Sequence, residues 1–136
     1  MNIGSGGSEI AGVKIWTFQD TRAGCPPVQE ANSDIMLQTI TLTKKSIVGV
    51  HIKTIGIYNG TFNCWIVIDG VDKSNSGGHS KYLSSAYDAG WQSVSLHWYG
   101  ELNAGEHTFG YRCDKANAIG CGGQWGGMVV KAMEIE

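Results

Sequence analysis

The run Ile55-Gly56-Ile57-Tyr58-Asn59-Gly60-Thr61-Phe62-Asn63-Cys64-Trp65-Ile66-Val67-Ile68 constrains this chain more than any other. β-Branched and aromatic residues fill both arms, and the central Asn-Gly pair readily takes the positive φ angles of a type I′ turn. The pattern predicts a β-hairpin. In the second arm, Phe62, Cys64, Ile66 and Ile68 share one face while Trp65 and Val67 share the other. Both faces are apolar, so a central strand is expected.

The same period of two recurs along the chain. Residues 13–18 read as a strand that ends before the Cys25-Pro26-Pro27 breaker, and residues 35–42 as another. Residues 46–58 set Val48, Val50, Ile52 and Thr54 against His51 and Lys53, with Gly49 and Gly56 marking a bulge or crowding. Residues 91–99 alternate through Val94, Leu96 and Trp98, and residues 106–113 through His107, Phe109 and Tyr111. With the Asn103-Ala104-Gly105 turn between them, these two read as adjacent strands. A glycine-rich loop, 120–127, precedes a last strand at 128–135 that is expected to close the sheet. Asp69-Gly70 opens a polar connection to Gly90 that exceeds the usual length of about 4–6 residues, which marks a functional loop or a further element, with a short strand near Tyr82-Leu83. The 20 glycines and two prolines among 136 residues suit many tight turns. The expected fold is all-β, an antiparallel two-sheet sandwich or jelly roll of about seven or eight strands.

One domain is expected, residues 13–136, preceded by a flexible Gly/Ser-rich arm, residues 1–12. Residues 1–8 carry neither a basic nor an apolar signal region, so export is not expected and Cys25, Cys64, Cys113 and Cys121 are read as free thiols. A Cys113–Cys121 bridge across the neck of the glycine-rich loop is the weighed alternative. Ten basic residues against twelve acidic ones give a net charge of −2, which offers no general attraction to nucleic acid or an anionic membrane. No run of about 18 apolar residues occurs, so no membrane-spanning helix is expected.

Little in the chain points to catalysis. His51, His79, His97 and His107 are present without a Gly-x-Ser-x-Gly elbow. Asp69, Asp72, Asp88, Glu101 and Glu106 could supply the acid pair of a glycan-active enzyme, but loop carboxylates are mostly solvated. Cys113, Cys121 and His107 lack a zinc-knuckle spacing, and Asp69, Asp72, Ser74 and Ser76 lack that of an EF-hand. Gly4-Ser5-Gly6-Gly7-Ser8 lacks the Gly-Lys end of a phosphate-binding loop, and the Asn59-Gly60-Thr61 sequon falls in a tight turn. No catalytic residue, metal or cofactor is therefore expected. Trp16, Trp65, Trp91, Trp98, Trp125, Tyr82, Tyr87 and Tyr99 read mainly as core or subunit packing, Trp65 as core or trimer interface. Trp91 and Trp125, among loop glycines, are the best exposed candidates.

The order of strand 91–99, the segment Glu101-Leu102-Asn103-Ala104-Gly105-Glu106-His107-Thr108-Phe109, a glycine-rich loop and a closing strand resembles jelly rolls of the tumour-necrosis-factor and complement-globular-head type. The resemblance reaches back to Ile35, and such compact chains are similar to bacteriophage virion proteins. It implies a non-enzymatic structural protein of the virion, a homotrimeric capsid decoration (cement) protein on the major capsid protein. Ile3, Ile10 and Val13 of the arm, with Trp91 and Trp125, would then make the partner contacts, the arm by adding an edge strand. The alternative is a fibre or tail-tip head that recognises a host-surface glycan or protein through loops 71–90 and 116–127, with His79, Tyr82 and Tyr87 in contact.

Overall fold

A computed structural model describes residues 8–10, 12–19, 30–56, 61–74, 81–84, 92–116 and 126–135, with backbone alone for 8–10, 81–84 and 92. Among these residues ten strands form: β1 (Ser8–Ile10), β2 (Val13–Gln19), β3 (Ile35–Leu42), β4 (Ser46–Gly56), β5 (Phe62–Ile68), β6 (Val71–Asp72), β7 (Lys81–Ser84), β8 (Gln92–Leu102), β9 (Gly105–Cys113) and β10 (Gly127–Glu134). One sheet has the order β1-β2-β10-β4-β8. The other runs β3-β9-β5-β6, with β7 beside β6 on the same edge of β5. Every pairing is antiparallel. The result is the expected all-β sandwich, with seven long strands and three short ones, and β5 is central as its two apolar faces require. No helix among the described residues is long and apolar enough to cross a membrane.

The connections differ from expectation. β4 and β5 lie in opposite sheets, so no hairpin forms between the arms that flank Asn59-Gly60. Each arm has one fully apolar face, and facing sheets let Val48, Val50 and Ile52 share a core with Phe62, Ile66 and Ile68. Side-by-side pairing would leave both faces needing cover. A Cβ placed on Gly56 would stand 2.6 Å from the Phe62 ring, so the end of β4 sits face-on to the start of β5. The same holds for β8 and β9, which flank the 103–104 turn in opposite sheets. The last strand, β10, closes no edge, because it sits between β2 and β4. In the segment read as a flexible arm, β1 pairs with β2 of the same chain, Ile10 opposite Val13.

A bulge corrects the phase of β3. Ile35 and Ile40 are both buried although an odd spacing of five would put them on opposite faces of a regular strand. The ladder with β9 shifts register between Ile35 and Gln38, and Met36 takes a φ of 56°. That extra residue resets the alternation and leaves Leu37 exposed.

Cys64 and Cys113 form a disulfide, which overturns the free-thiol expectation for this pair. They are directly opposed on β5 and β9 with Cα atoms 4.1 Å apart, where antiparallel side chains on one face come closest. Cys113 is thereby removed from both the Cys113–Cys121 bridge and the zinc set considered above. Cys25 and Cys121 lie outside the described residues.

Candidate functional site

The inward half of β2, β10, β4 and β8 is apolar apart from Ser46 and Thr54 of β4, and the outward half is where chemistry accumulates. Register sets the outer positions in cross-strand rows. One row is Gln19, Gly127, Lys53, Ser95; the next is Thr17, Val129, His51, His97; the third is Ile15, Lys131, Gly49, Tyr99. A fourth, at the end of the face, is Val13, Met133, Ile47, Glu101, with Met133 and Ile47 exposed.

Two glycines shape this surface. Gly49 lies under the Tyr99 ring, since a Cβ there would stand 3.1 Å from two ring carbons. Without that side chain the ring can lie across β4 and still be 49% exposed. Gly127 leaves an outer position empty between Gln19 and Lys53. Around it opens a depression of about 390 Å³ lined by Thr17, His51, Lys53, Ser95, Gly127 and Val129.

Tyr99 is held from the side. Its hydroxyl is 2.9 Å from His51 Nε2, the two rings meet edge to face at 5.3 Å, and His97 stacks on His51 at 5.9 Å. Burial, then the charges of Lys131 and His97, lower the His51 pKa below its ordinary 6.5. A neutral His51 protonated at Nδ1 accepts the Tyr99 O–H at Nε2, which fixes the ring. The face thus offers an anchored aromatic surface beside a hollow whose rim carries hydroxyl, imidazole and ammonium groups. Such a surface stacks on an apolar ring face and hydrogen-bonds hydroxyls.

Three of the carboxylates considered for hydrolysis, Asp69, Asp72 and Glu101, are otherwise engaged. Asp69 Oδ2 is 2.7 Å from His107 Nδ1, and its Oδ1 accepts the Thr108 N–H at 2.9 Å. His107 Nε2 lies 2.8 Å from the Asn103 carbonyl oxygen. Burial pulls the His107 pKa down, but the two acceptors and the Asp69 charge outweigh it and the net direction is up. For Asp69 burial pushes up, and the His107 and Thr108 hydrogen bonds bring the net direction down. Asp72 accepts the Ser74 N–H at 2.7 Å, and Glu101 lies 3.6 Å from Lys45. No group of three His, Cys, Asp or Glu among the described residues could hold a metal.

Of the residues singled out in the sequence, Ile3, His79, Tyr87, Asp88, Trp91 and Trp125 lie outside the described residues. Ile10 and Tyr82 are placed by backbone alone, in β1 and β7. Val13 is on the outer face opposite Met133. Trp65 is neither core nor fully exposed: it is half-buried on the outer side of the other sheet, opposite Arg112. Tyr99, read mainly as packing, is instead exposed. The set Thr17, His51, Lys53, Ser95, Tyr99 and Lys131 was not assembled from the sequence. Its signal was the outward phase of His51 and Lys53 against Val50 and Ile52, but the pairing of β4 with β8 and β10 was needed to join the rest.

No family model matches the chain, and no curated protein matches it. Solved structures do. A family 35 carbohydrate binding module from an environmental isolate superposes with a TM-score of 0.51 at 9% identity, covering 100% of this chain and 95% of that one. The fold is a jelly-roll β-sandwich. A family 35 module from Clostridium thermocellum matches with a TM-score of 0.44 at 11% identity, over 90% of this chain and 92% of that one. A ruminal GH26 endo-β-1,4-mannanase matches 78% of this chain with a TM-score of 0.41 at 14% identity, and this chain spans 19% of the mannanase.

Proposed function

We propose that this chain is a carbohydrate-binding domain that holds a polysaccharide on the outer face of the β2-β10-β4-β8 sheet. Glycan recognition, the alternative function weighed from the sequence, is favoured over capsid decoration, and the site moves from the loops to the sheet. One observation carries it: Tyr99 lies across Gly49, pinned by His51, beside a hollow rimmed by Thr17, Lys53 and Ser95. A sugar ring presents an apolar C–H face to an aromatic ring and hydroxyls to its rim, and this surface supplies both kinds of contact without a rearrangement. The superposition on a carbohydrate binding module supports the reading at the level of fold.

The test is affinity electrophoresis and calorimetry against a panel of neutral and charged polysaccharides, with wild type beside Tyr99→Ala. Wild type should bind at least one polysaccharide, and Tyr99→Ala should bind it at least about tenfold more weakly, roughly 1.4 kcal/mol. Failure to bind any of the panel, or equal binding by the variant, would contradict the proposal.

A further inference from the structure

The outer face has a charge pattern that narrows the ligand, on the premise that the face binds glycan at all. We infer that it selects an extended anionic polysaccharide, engaged at two separated points by Lys53 and Lys131. The twelve outer positions of the first three rows hold two ammonium groups, Lys53 and Lys131, and no carboxylate. The whole chain has more acidic residues than basic ones and a net charge of −2, so this cationic face stands against the background. Among the described outer positions of β2, β10, β4 and β8, a carboxylate first enters with Glu101 in the fourth row, 3.6 Å from Lys45. A locally positive surface on a negative molecule attracts an anionic ligand to that surface specifically.

Spacing then separates a polymer from a single acidic sugar. Lys131 is opposite Gly49, and Gly49 is four residues from Lys53 on β4. At the rise of an antiparallel strand the two lysine backbones are therefore about 14 Å apart along the face. The hollow at Gly127 and the Tyr99 ring lie between and beside them. One monosaccharide acid reaches one lysine. A chain of several units carrying repeated carboxylates or sulfates reaches both, and the second contact is then intramolecular, with the gain in apparent affinity that follows. Ammonium groups bind either anion as point charges, so carboxylate and sulfate polymers share the chemistry.

The experiment uses the full chain and four variants: Lys53→Gln, Lys131→Gln, their double, and Lys44→Gln/Lys115→Gln as a control with the same charge change at exposed positions off the face. Each is titrated with polygalacturonate, with dextran sulfate, with unsubstituted dextran and neutral galactomannan, and with free galacturonic acid as competitor. Preference for one polyanion over the other identifies carboxylate or sulfate as the source. The expected result is binding to at least one polyanion that weakens with added salt. Each single variant should lose several-fold, the double more than tenfold, and the control nothing. Free galacturonic acid should compete far less well, per acid group, than short polygalacturonate oligomers. Thermal melting of each variant confirms folding, and the surface position of both lysines predicts unchanged melts. Equal loss in the control would mean unspecific charge attraction and would overturn the inference. So would tight binding of neutral galactomannan that the double variant leaves intact, a result that keeps the glycan-binding proposal while removing its anionic ligand. Binding to nothing in the panel removes both.

Discussion

His107 sits between two acceptors, the Asp69 carboxylate and the Asn103 carbonyl oxygen, and both ring nitrogens can donate only in the imidazolium form. Its folded pKa is raised above 6.5, so the stability it contributes is fully present below that value and is lost as pH rises through the folded value. Asp69 is depressed below 3.8, so its contribution is present above that value and is lost as pH falls through the folded one. The clamp is therefore strongest between about pH 4 and 6.5, the interval these two directions bracket. Melting temperatures of wild type and His107→Gln, measured from pH 4 to 9, should differ by a few degrees in that interval and converge at alkaline pH. A difference that does not change with pH would remove the charged form from the account. His51 runs the other way: its lowered pKa favours the neutral ring, so its contribution is present above 6.5 and lost as pH falls through the folded value.

At the scale of elements, the β3 bulge and Gly110 of β9 act as one unit. A Cβ on Gly110 would stand 2.9 Å from the Ile35 carbonyl oxygen and 3.3 Å from the Leu37 Cα, both backbone atoms that cannot swing aside. Gly110→Ala should cost roughly 1–3 kcal/mol in chemical denaturation, the range for overpacking, while Gly70→Ala meets no neighbour and carries only its positive-φ strain. Equal costs would show that the bulge yields. Strand identity was legible from alternation because burial on one face enforces a period of two, as in Val48, Val50 and Ile52. Partner choice was not. Asn59-Gly60 signals a reversal of the chain, and a reversal serves equally for a hairpin or for a step to the facing sheet. What decided between them was the Phe62 ring against Gly56, a contact between sheets. The β3 bulge was equally hidden, because its cause lies in where Ile35 and Ile40 must point and not in residue type.

The whole molecule is a sandwich stapled within one of its sheets. The Cys64–Cys113 disulfide joins β5 to β9 across 49 residues of sequence. In the chain-entropy view a loop of that length stabilises by roughly 4 kcal/mol, so reduction, or Cys64→Ala/Cys113→Ala, should lower the denaturation free energy by several kcal/mol. An unchanged midpoint after verified reduction would show that the loop is already closed in the unfolded ensemble. The candidate site is likewise a property of the whole molecule. Lys53, Ser95, Thr17 and Lys131 come from four strands that are distant in sequence and adjacent only through the order β2-β10-β4-β8. Sequence reasoning that sought exposed aromatics among loop glycines passed over Tyr99, whose exposure depends on Gly49 in a neighbouring strand.

The most direct measurement is a two-dimensional amide and side-chain NMR titration of the folded chain with an oligosaccharide from the best-bound polysaccharide. The shifts should concentrate on Thr17, His51, Lys53, Ser95, Tyr99 and Lys131, with the opposite sheet around Trp65 and Arg112 left unmoved. Shifts confined to that opposite sheet or to the connecting loops, with the β4 and β8 outer positions silent, would contradict a glycan site on this face.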